Sequence, residues 1–300
     1  RQHFSRRSAQ QQRVCVSTGW EKIDELLDGG HACGELGVVI APTGGGKSFV
    51  LVNLGYGALK DNKNVLHYTL ELDEDAVGLR YDARVTGVPI RDIKLYPDLV
   101  QKKLREFNSG RLIIKGYPIK SASVNTFKFH INRLKATGFN PDVILVDYAD
   151  IMKSRRRYEV KRYELESIYE DLRALAQELH VPIWTASQTN RAAIDEEIIT
   201  LSSIAEAYAK AQVSDFIISL SRKMADKLNN TGRFYLAKNR NGVDGIVIPL
   251  YVNTVTGTIK LQGDTDDNQA RSPYGAHNAV EDEQASNEQL KERLKAIKEG

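Results

Sequence analysis

Cysteine is nearly absent from this 300-residue chain, which carries only Cys15 and Cys33. The two make no CxxC pair and no even framework, so a disulfide scaffold and a thiolate zinc site are both excluded, and a reducing compartment fits this usage. Long apolar runs are missing as well. A bilayer span takes about 18 or more consecutive apolar residues, and nothing here approaches that. The opening Arg1 to Ser8 lacks the apolar stretch of a signal peptide. These absences point to an intracellular, cytoplasmic protein with no membrane contact. The first residue is not Met, from which we expect further sequence upstream. Charge of one sign is not in large excess either: the net value of +3 is too small to diagnose a nucleic-acid partner by itself.

What is present is a globular composition, 41% hydrophobic and 27% charged, enough for one well-buried core of about 250 residues. The charge is unevenly spread. Residues 1 to 19 hold four arginines and no acid, whereas residues 264 to 300 hold nine acids against five bases. This divides the chain into a basic lead over 1–16, a central unit over 17–263, and an acidic, largely disordered tail over 264–300. Within the tail, Ser286 to Gln289 reads as a capping box, and Leu290, Leu294 and Ile297 share one face of a short helix.

The central unit alternates strand-like and helix-like segments. Asn64 to Leu72 reads as a strand, followed by a helix from Glu74 to about Ala83. Arg111 to Lys115 is a second strand. The nearly unbroken apolar run Asp142 to Asp147 has the character of a central parallel strand covered on both faces. Leu165, Ile168, Leu172, Leu175 and Leu179 form the stripe of an amphipathic helix over 163–179. Strands follow at 182–188, 215–220, 234–237, 245–252 and 258–262, the last ones joined by short turns at Asn241-Gly242 and Thr256-Gly257. The expected fold is α/β: a doubly covered, mainly parallel sheet with antiparallel edge strands, with no internal repeat.

The segment Ala41 to Ser48 reads APTGGGKS and follows the apolar run Gly37 to Ile40. It is a phosphate loop placed where a strand hands over to a helix. Thr43, Gly44, Gly45 and Gly46 present backbone N–H groups to the phosphates, Lys47 reaches the β and γ oxygens, Ser48 ligates Mg²⁺, and Phe49 opens the helix whose positive end faces them. ATP and Mg²⁺ are the implied cofactors. Asp147 closes its apolar strand where a carboxylate can hold the Mg²⁺ or its water, the Walker B pattern. Glu71, at the end of the strand after the loop helix, is assigned as general base. Gln188 ends the next strand, where an amide can sense the γ-phosphate. Lys238 and Arg240 alternate onto one face and are candidates to stabilise transition-state charge across a subunit boundary. Each has a plainer reading as a strand-end polar group or a solvated patch.

With these stations in place the chain resembles the motor domain of DnaB-type hexameric replicative helicases, in the RecA-like ATPase superfamily, and most closely its T-even phage branch. The likeness rests on Ser17 to Trp20 with Ile23-Asp24, Asn64 to Leu72, Gly110 to Pro118 with Asn125 to Phe127, and Ile144 to Tyr148. Leu172 to Ala176, Ser203 to Glu206 and Ala237 to Gly242 extend it, so that it runs from about Val16 to Leu261. It implies a RecA-like P-loop NTPase core, a homo-oligomer in the form of a hexameric ring with nucleotide at each interface, single-stranded DNA in the central channel, and ATP hydrolysis driving translocation. Glu71 as base, Gln188 as sensor, and Arg240 with Lys238 acting in trans gain support from it. The scaffolding domain that precedes the motor in this family is not found in the chain, which leaves ring stability and docking of a primase or helicase loader open. No primase zinc motif is present.

Lys153 to Tyr163 packs six cations and two tyrosines into eleven residues. Arg155, Arg156, Arg157, Lys161 and Arg162 are therefore candidate DNA contacts, with an ordinary solvated loop as the equal alternative. Asn190 and Arg191 form a second candidate loop. Two other functions share the same stations: a RecA- or RadA-type recombination ATPase, and a KaiC-like regulatory ATPase that does not translocate.

Overall fold

A computed structural model describes residues 13–189, 193, 196–203 and 207–262. The whole tail with its expected helix, and most of the lead, lie outside these residues. A short hairpin of β1 (Cys15–Val16) and β2 (His31–Ala32) brackets helix α1 (Glu21–Leu26). Then come β3 (Leu36–Ala41), α2 (Lys47–Lys60), β4 (Val65–Thr69), α3 (Glu74–Thr86), α4 (Pro97–Glu106), β5 (Leu112–Gly116), α5 (Val124–Ala136) and β6 (Val143–Asp147). The chain continues through α6 (Lys161–Leu179), β7 (Ile183–Gln188), α7 (Ala207–Val213), β8 (Phe216–Ser221), α8 (Met224–Leu228), β9 (Thr231–Asn239), β10 (Ile246–Asn253) and β11 (Thr258–Leu261).

Nine of the strands form one sheet in the order β11-β10-β9-β8-β3-β7-β6-β4-β5. The six from β8 to β5 are parallel, and β9, β10 and β11 extend the sheet antiparallel. Side-chain alternation explains why the central strands read as unbroken apolar runs. In β3, Leu36, Val38 and Ile40 join a core with α5 and α6, while Val39 and Ala41 join the opposite core with α2. In β6, Ile144 and Val146 face the first core and Val143 and Leu145 the second. Each fully buried aliphatic side chain contributes about 1.5–3 kcal/mol, which is why both faces of these strands are largely apolar up to their carboxyl ends.

The parallel strands place their carboxyl ends along one edge, where the phosphate loop, Asp147 and Gln188 emerge. The expected strand over 64–72 is shorter, ending at Thr69. The Thr69 hydroxyl accepts from Leu72 N at 3.2 Å and donates to Leu72 O at 2.8 Å, closing a turn, and Asp73 then caps α3 through Ala76 N at 2.6 Å. Glu71 thus stands in a turn beyond the strand. Helices α4 and α5 are additions to the sequence reading; Pro97 opens the first, and Ser123 with Thr126 caps the second.

Candidate active site

The phosphate loop forms as a tight turn: Gly45 N donates to Pro42 O at 2.9 Å, and Val50 N to Gly46 O at 3.0 Å as α2 begins. Gly46 caps the helix with φ of 106°, a left-handed conformation in which a side chain is strained. A Cβ on Gly45 would lie 2.9 Å from both Pro42 Cδ and Pro42 O, so that residue must be glycine for space. Thr43 and Gly44 are exposed at the tip. The Phe49 ring is committed to packing, with the Arg80 guanidinium 4.5 Å from its centroid and Gly257 against its edge.

Lys47 is 6% exposed, with Nζ 3.5 Å from Pro42 O and 5.6 Å from the Tyr148 ring centroid. Burial lowers its pKa, opposed by the carboxylates of Glu71, Asp147 and Asp150. Asp147 is fully buried, and neither of its carboxylate oxygens has a hydrogen bond of normal geometry among the described residues. The Ser48 hydroxyl is near enough to favour the charged form, yet burial dominates and raises the pKa, with further opposition from Lys47 and Arg80. A buried carboxylate without a protein partner, beside a hydroxyl, is a hard oxygen donor set. It fits Mg²⁺.

Glu71 is exposed and close enough to raise the pKa values of Lys47, Asp147 and Tyr148. Gln188 lies level with Ala41 in the β3–β7 register, next to the start of the loop, and its N donates to Asp150 Oδ2 at 3.3 Å. Glu71, Lys47, Ser48, Asp147 and Gln188 therefore converge on one edge of the sheet. Arg80, which the sequence reading passed over, joins them: burial lowers its pKa, and Asp147 and Glu71 raise it. Its signal was weak, one arginine on the polar side of a helix.

Lys238 and Arg240 are not brought to this edge. Since β9 runs antiparallel to β8 and Lys238 pairs with Ile217, both cations stand at the amino-terminal edge of the parallel strands. They share one side, as alternation requires. Lys238 Nζ donates to Ala211 O and to Ser214 O, and Arg240 donates to Gln212 O at 3.0 Å while pairing with Asp215 at 3.1 Å. Neither can reach the phosphate loop of its own chain.

Of the basic loop, Arg156, Arg157, Lys161 and Arg162 are exposed. Arg155 is not free: its Nε donates to Asp171 Oδ2 at 2.7 Å, its Nη2 donates to Oδ1, and this pairing raises its pKa. Arg155, offered by the sequence reading as a candidate DNA contact, is thus held by Asp171, which lies midway along α6 with its side chain 7% exposed. Asn190 and Arg191 lie outside the described residues.

Comparison with known proteins places this geometry. A DnaB-like replicative helicase of Enterobacteria phage T4 is 34% identical over 209 residues, covering 66% of this chain and 44% of the relative. The replicative DNA helicase DnaB of Leifsonia xyli subsp. xyli is 26% identical over 241 residues, 76% of this chain and 52% of the relative. The chain thus spans about half the length of the curated relatives it matches. Among solved structures, a DnaB-like replicative helicase, described together with its interactions with primase, superposes with a TM-score of 0.73 at 19% identity, over 86% of this chain and 65% of that one. A second, solved as an ATPase domain by itself, gives the same score and identity over 95% of its own length. These two likenesses are of fold alone. Residues 15–257, from the first hairpin to the turn before β11 and so including both the phosphate-loop edge and the Lys238–Arg240 edge, match the family model of the DnaB-like helicase C terminal domain, and the chain belongs to that family.

Proposed function

We propose that this chain is the motor of a replicative DNA helicase, hydrolysing ATP at the interfaces of a hexameric ring to translocate on single-stranded DNA and unwind duplex. The observation that carries the reading is the assembled edge: Asp147 buried without a protein partner, beside Lys47 and Ser48, with Glu71 above them, in a chain of this family. Backbone N–H groups of Thr43 to Phe49 bind the phosphates, and Lys47 neutralises the β and γ oxygens. Ser48 and Asp147 would hold Mg²⁺, which when bound would neutralise negative charge on the phosphates. Glu71 takes the proton of the attacking water. Gln188 reads the γ-phosphate from the end of β7. Arg240 and Lys238, at the far edge, serve the site of the adjacent subunit, an arrangement that a head-to-tail ring supplies.

Arg156, Arg157, Lys161 and Arg162 track the DNA backbone, Arg155 shapes their loop by holding Asp171, and Asn190 and Arg191 form a second contact. A primase and a helicase loader are the protein partners of such a motor, and the cytoplasm, that of the host cell for a phage protein, is its compartment. Residues 17–263 form the motor, with 1–16 a linker and 264–300 an appended tail. Family membership gives no support to the recombination or regulatory readings. The test is ATP hydrolysis with and without single-stranded DNA, together with strand displacement on a forked duplex, for the intact chain and Glu71→Gln. DNA should stimulate turnover, and the substitution should lower it by about 100-fold or more. Turnover indifferent to DNA would favour the regulatory ATPase, and strand pairing without unwinding the recombinase.

A further inference from the structure

Lys210 is 2% exposed, a degree of burial that lysine tolerates only with its charge compensated. Its Nζ donates to Asp150 Oδ2 at 3.1 Å and to Ser187 Oγ at 2.7 Å, and it lies 5.6 Å from the Tyr169 ring centroid. Asp150 is heavily committed in turn. Its Oδ2 also accepts from Ser187 Oγ at 2.9 Å and from Gln188 N at 3.3 Å, and its Oδ1 accepts from the Tyr169 hydroxyl at 2.8 Å. This cluster joins the end of β7, the turn after Asp147, α6 and α7.

The next residues of the chain hold the two cations of the opposite edge. The carbonyls of Ala211 and Ser214 accept from Lys238, and that of Gln212 accepts from Arg240. Asp215 completes the group, pairing with Arg240 at 3.1 Å and Arg173 at 2.9 Å and accepting from Leu36 N at 3.0 Å. Residues 210 to 215 therefore touch Gln188's anchor at one end and the Lys238–Arg240 pair at the other. A buried ion pair adds little to stability compared with apolar residues of the same volume, so its placement at this junction calls for a role in register.

We propose that Lys210, acting through Asp150, is a positioning residue that couples the Gln188 strand of one nucleotide site to the Lys238–Arg240 pair serving the next. A shift of Gln188 on gain or loss of the γ-phosphate moves Asp150, Lys210 carries the shift into α7, and the carbonyls at the end of α7 reposition both cations. The inference rests on the reading of Arg240 as a residue acting in trans. A plain anchor for α7 would leave the two edges independent.

The test is a cycle of four full-length proteins: unaltered, Asp150→Asn with Lys210→Met, Arg240→Ala, and all three changes together. Removing both members of the buried pair strands no charge, and Asp215 keeps Arg173 and Leu36 N when Arg240 is lost. DNA-stimulated turnover of the first variant should fall by about tenfold with little change in melting temperature. The triple variant should be no slower than Arg240→Ala alone. If the effects multiply, or if the pair variant turns over at the unaltered rate, Lys210 does not act through Arg240 and the inference fails while the trans role of Arg240 stands. If Arg240→Ala alone leaves turnover unchanged, the trans reading fails and takes the inference with it. Should the pair variant melt early, Ser187→Ala keeps the ion pair, removes the bridging hydroxyl, and repeats the cycle with a smaller effect of about two- to fivefold, subject to the same two readings.

Discussion

Asp147 combines full burial, a carboxylate without a hydrogen bond of normal geometry, and a pKa raised by loss of water. A buried polar group left unpaired costs about 1–3 kcal/mol, more when charged. Asp147→Asn removes the charge at nearly constant volume. The nucleotide-free protein should therefore melt a few degrees higher, for a gain of about 1–2 kcal/mol, while Mg²⁺-dependent hydrolysis is abolished. Melting curves without nucleotide check the first half, and a lower melting temperature would contradict it. This residue was legible in the sequence because its meaning is local: an apolar strand ending in a carboxylate, downstream of a contiguous phosphate loop. Lys210 was not legible, since its partner Asp150 lies 60 residues away and nothing near either marks the pairing.

Among the elements, the loop from Lys153 to Val160 divides its arginines between two tasks. Arg155→Ala strands Asp171 and should lower stability by about 1–2 kcal/mol, discounted for the half-exposed guanidinium, which a denaturant midpoint will read. Arg156→Ala with Arg157→Ala should leave stability unchanged and weaken single-strand binding. The salt dependence of that binding should flatten by roughly 0.7 in log–log slope for each phosphate no longer neutralised. Equal stability losses in both variants would show that the loop arginines are all structural. Charge clustering alone made the loop visible in the sequence, but it could not separate the two tasks, because the separation depends on which arginine meets α6. Helix α5 escaped the sequence reading for a related reason. Its stripe of Val124, Phe127 and Ile131 is interrupted by Phe129, which is 66% exposed and blurs the apolar period. The strand expected to reach Leu72 stopped at Thr69 because a threonine hydroxyl closed a turn that no periodicity encodes.

At the scale of the whole molecule, the phosphate-loop edge and the Lys238–Arg240 edge lie at opposite ends of the parallel strands, so on the proposed reading a complete site takes two copies. Glu71→Gln and Arg240→Ala should each turn over well below the unaltered protein, with Arg240→Ala keeping measurable residual activity. Mixed and reassembled in equal amounts, they should recover activity, since about a quarter of interfaces in a head-to-tail ring then pair an intact Glu71 with an intact Arg240. Hydrolysis in the mixture measured against the two parents decides this, and no recovery would place both roles within one subunit.

The order of the sheet also governs how the protein can be made. Strand β3, which ends in the phosphate loop, covers residues 36–41, yet its two neighbours are β7 at 183–188 and β8 at 216–221. During synthesis, a strand whose six residues are all buried in the finished fold must wait for most of the central unit to follow before either flank exists. Pairings this distant in sequence close slowly and leave apolar surface open in the interval. Within the central unit, the phosphate loop is thus synthesised well before the strands that fix its shape, and β3 lacks its second flank until β8 has followed it.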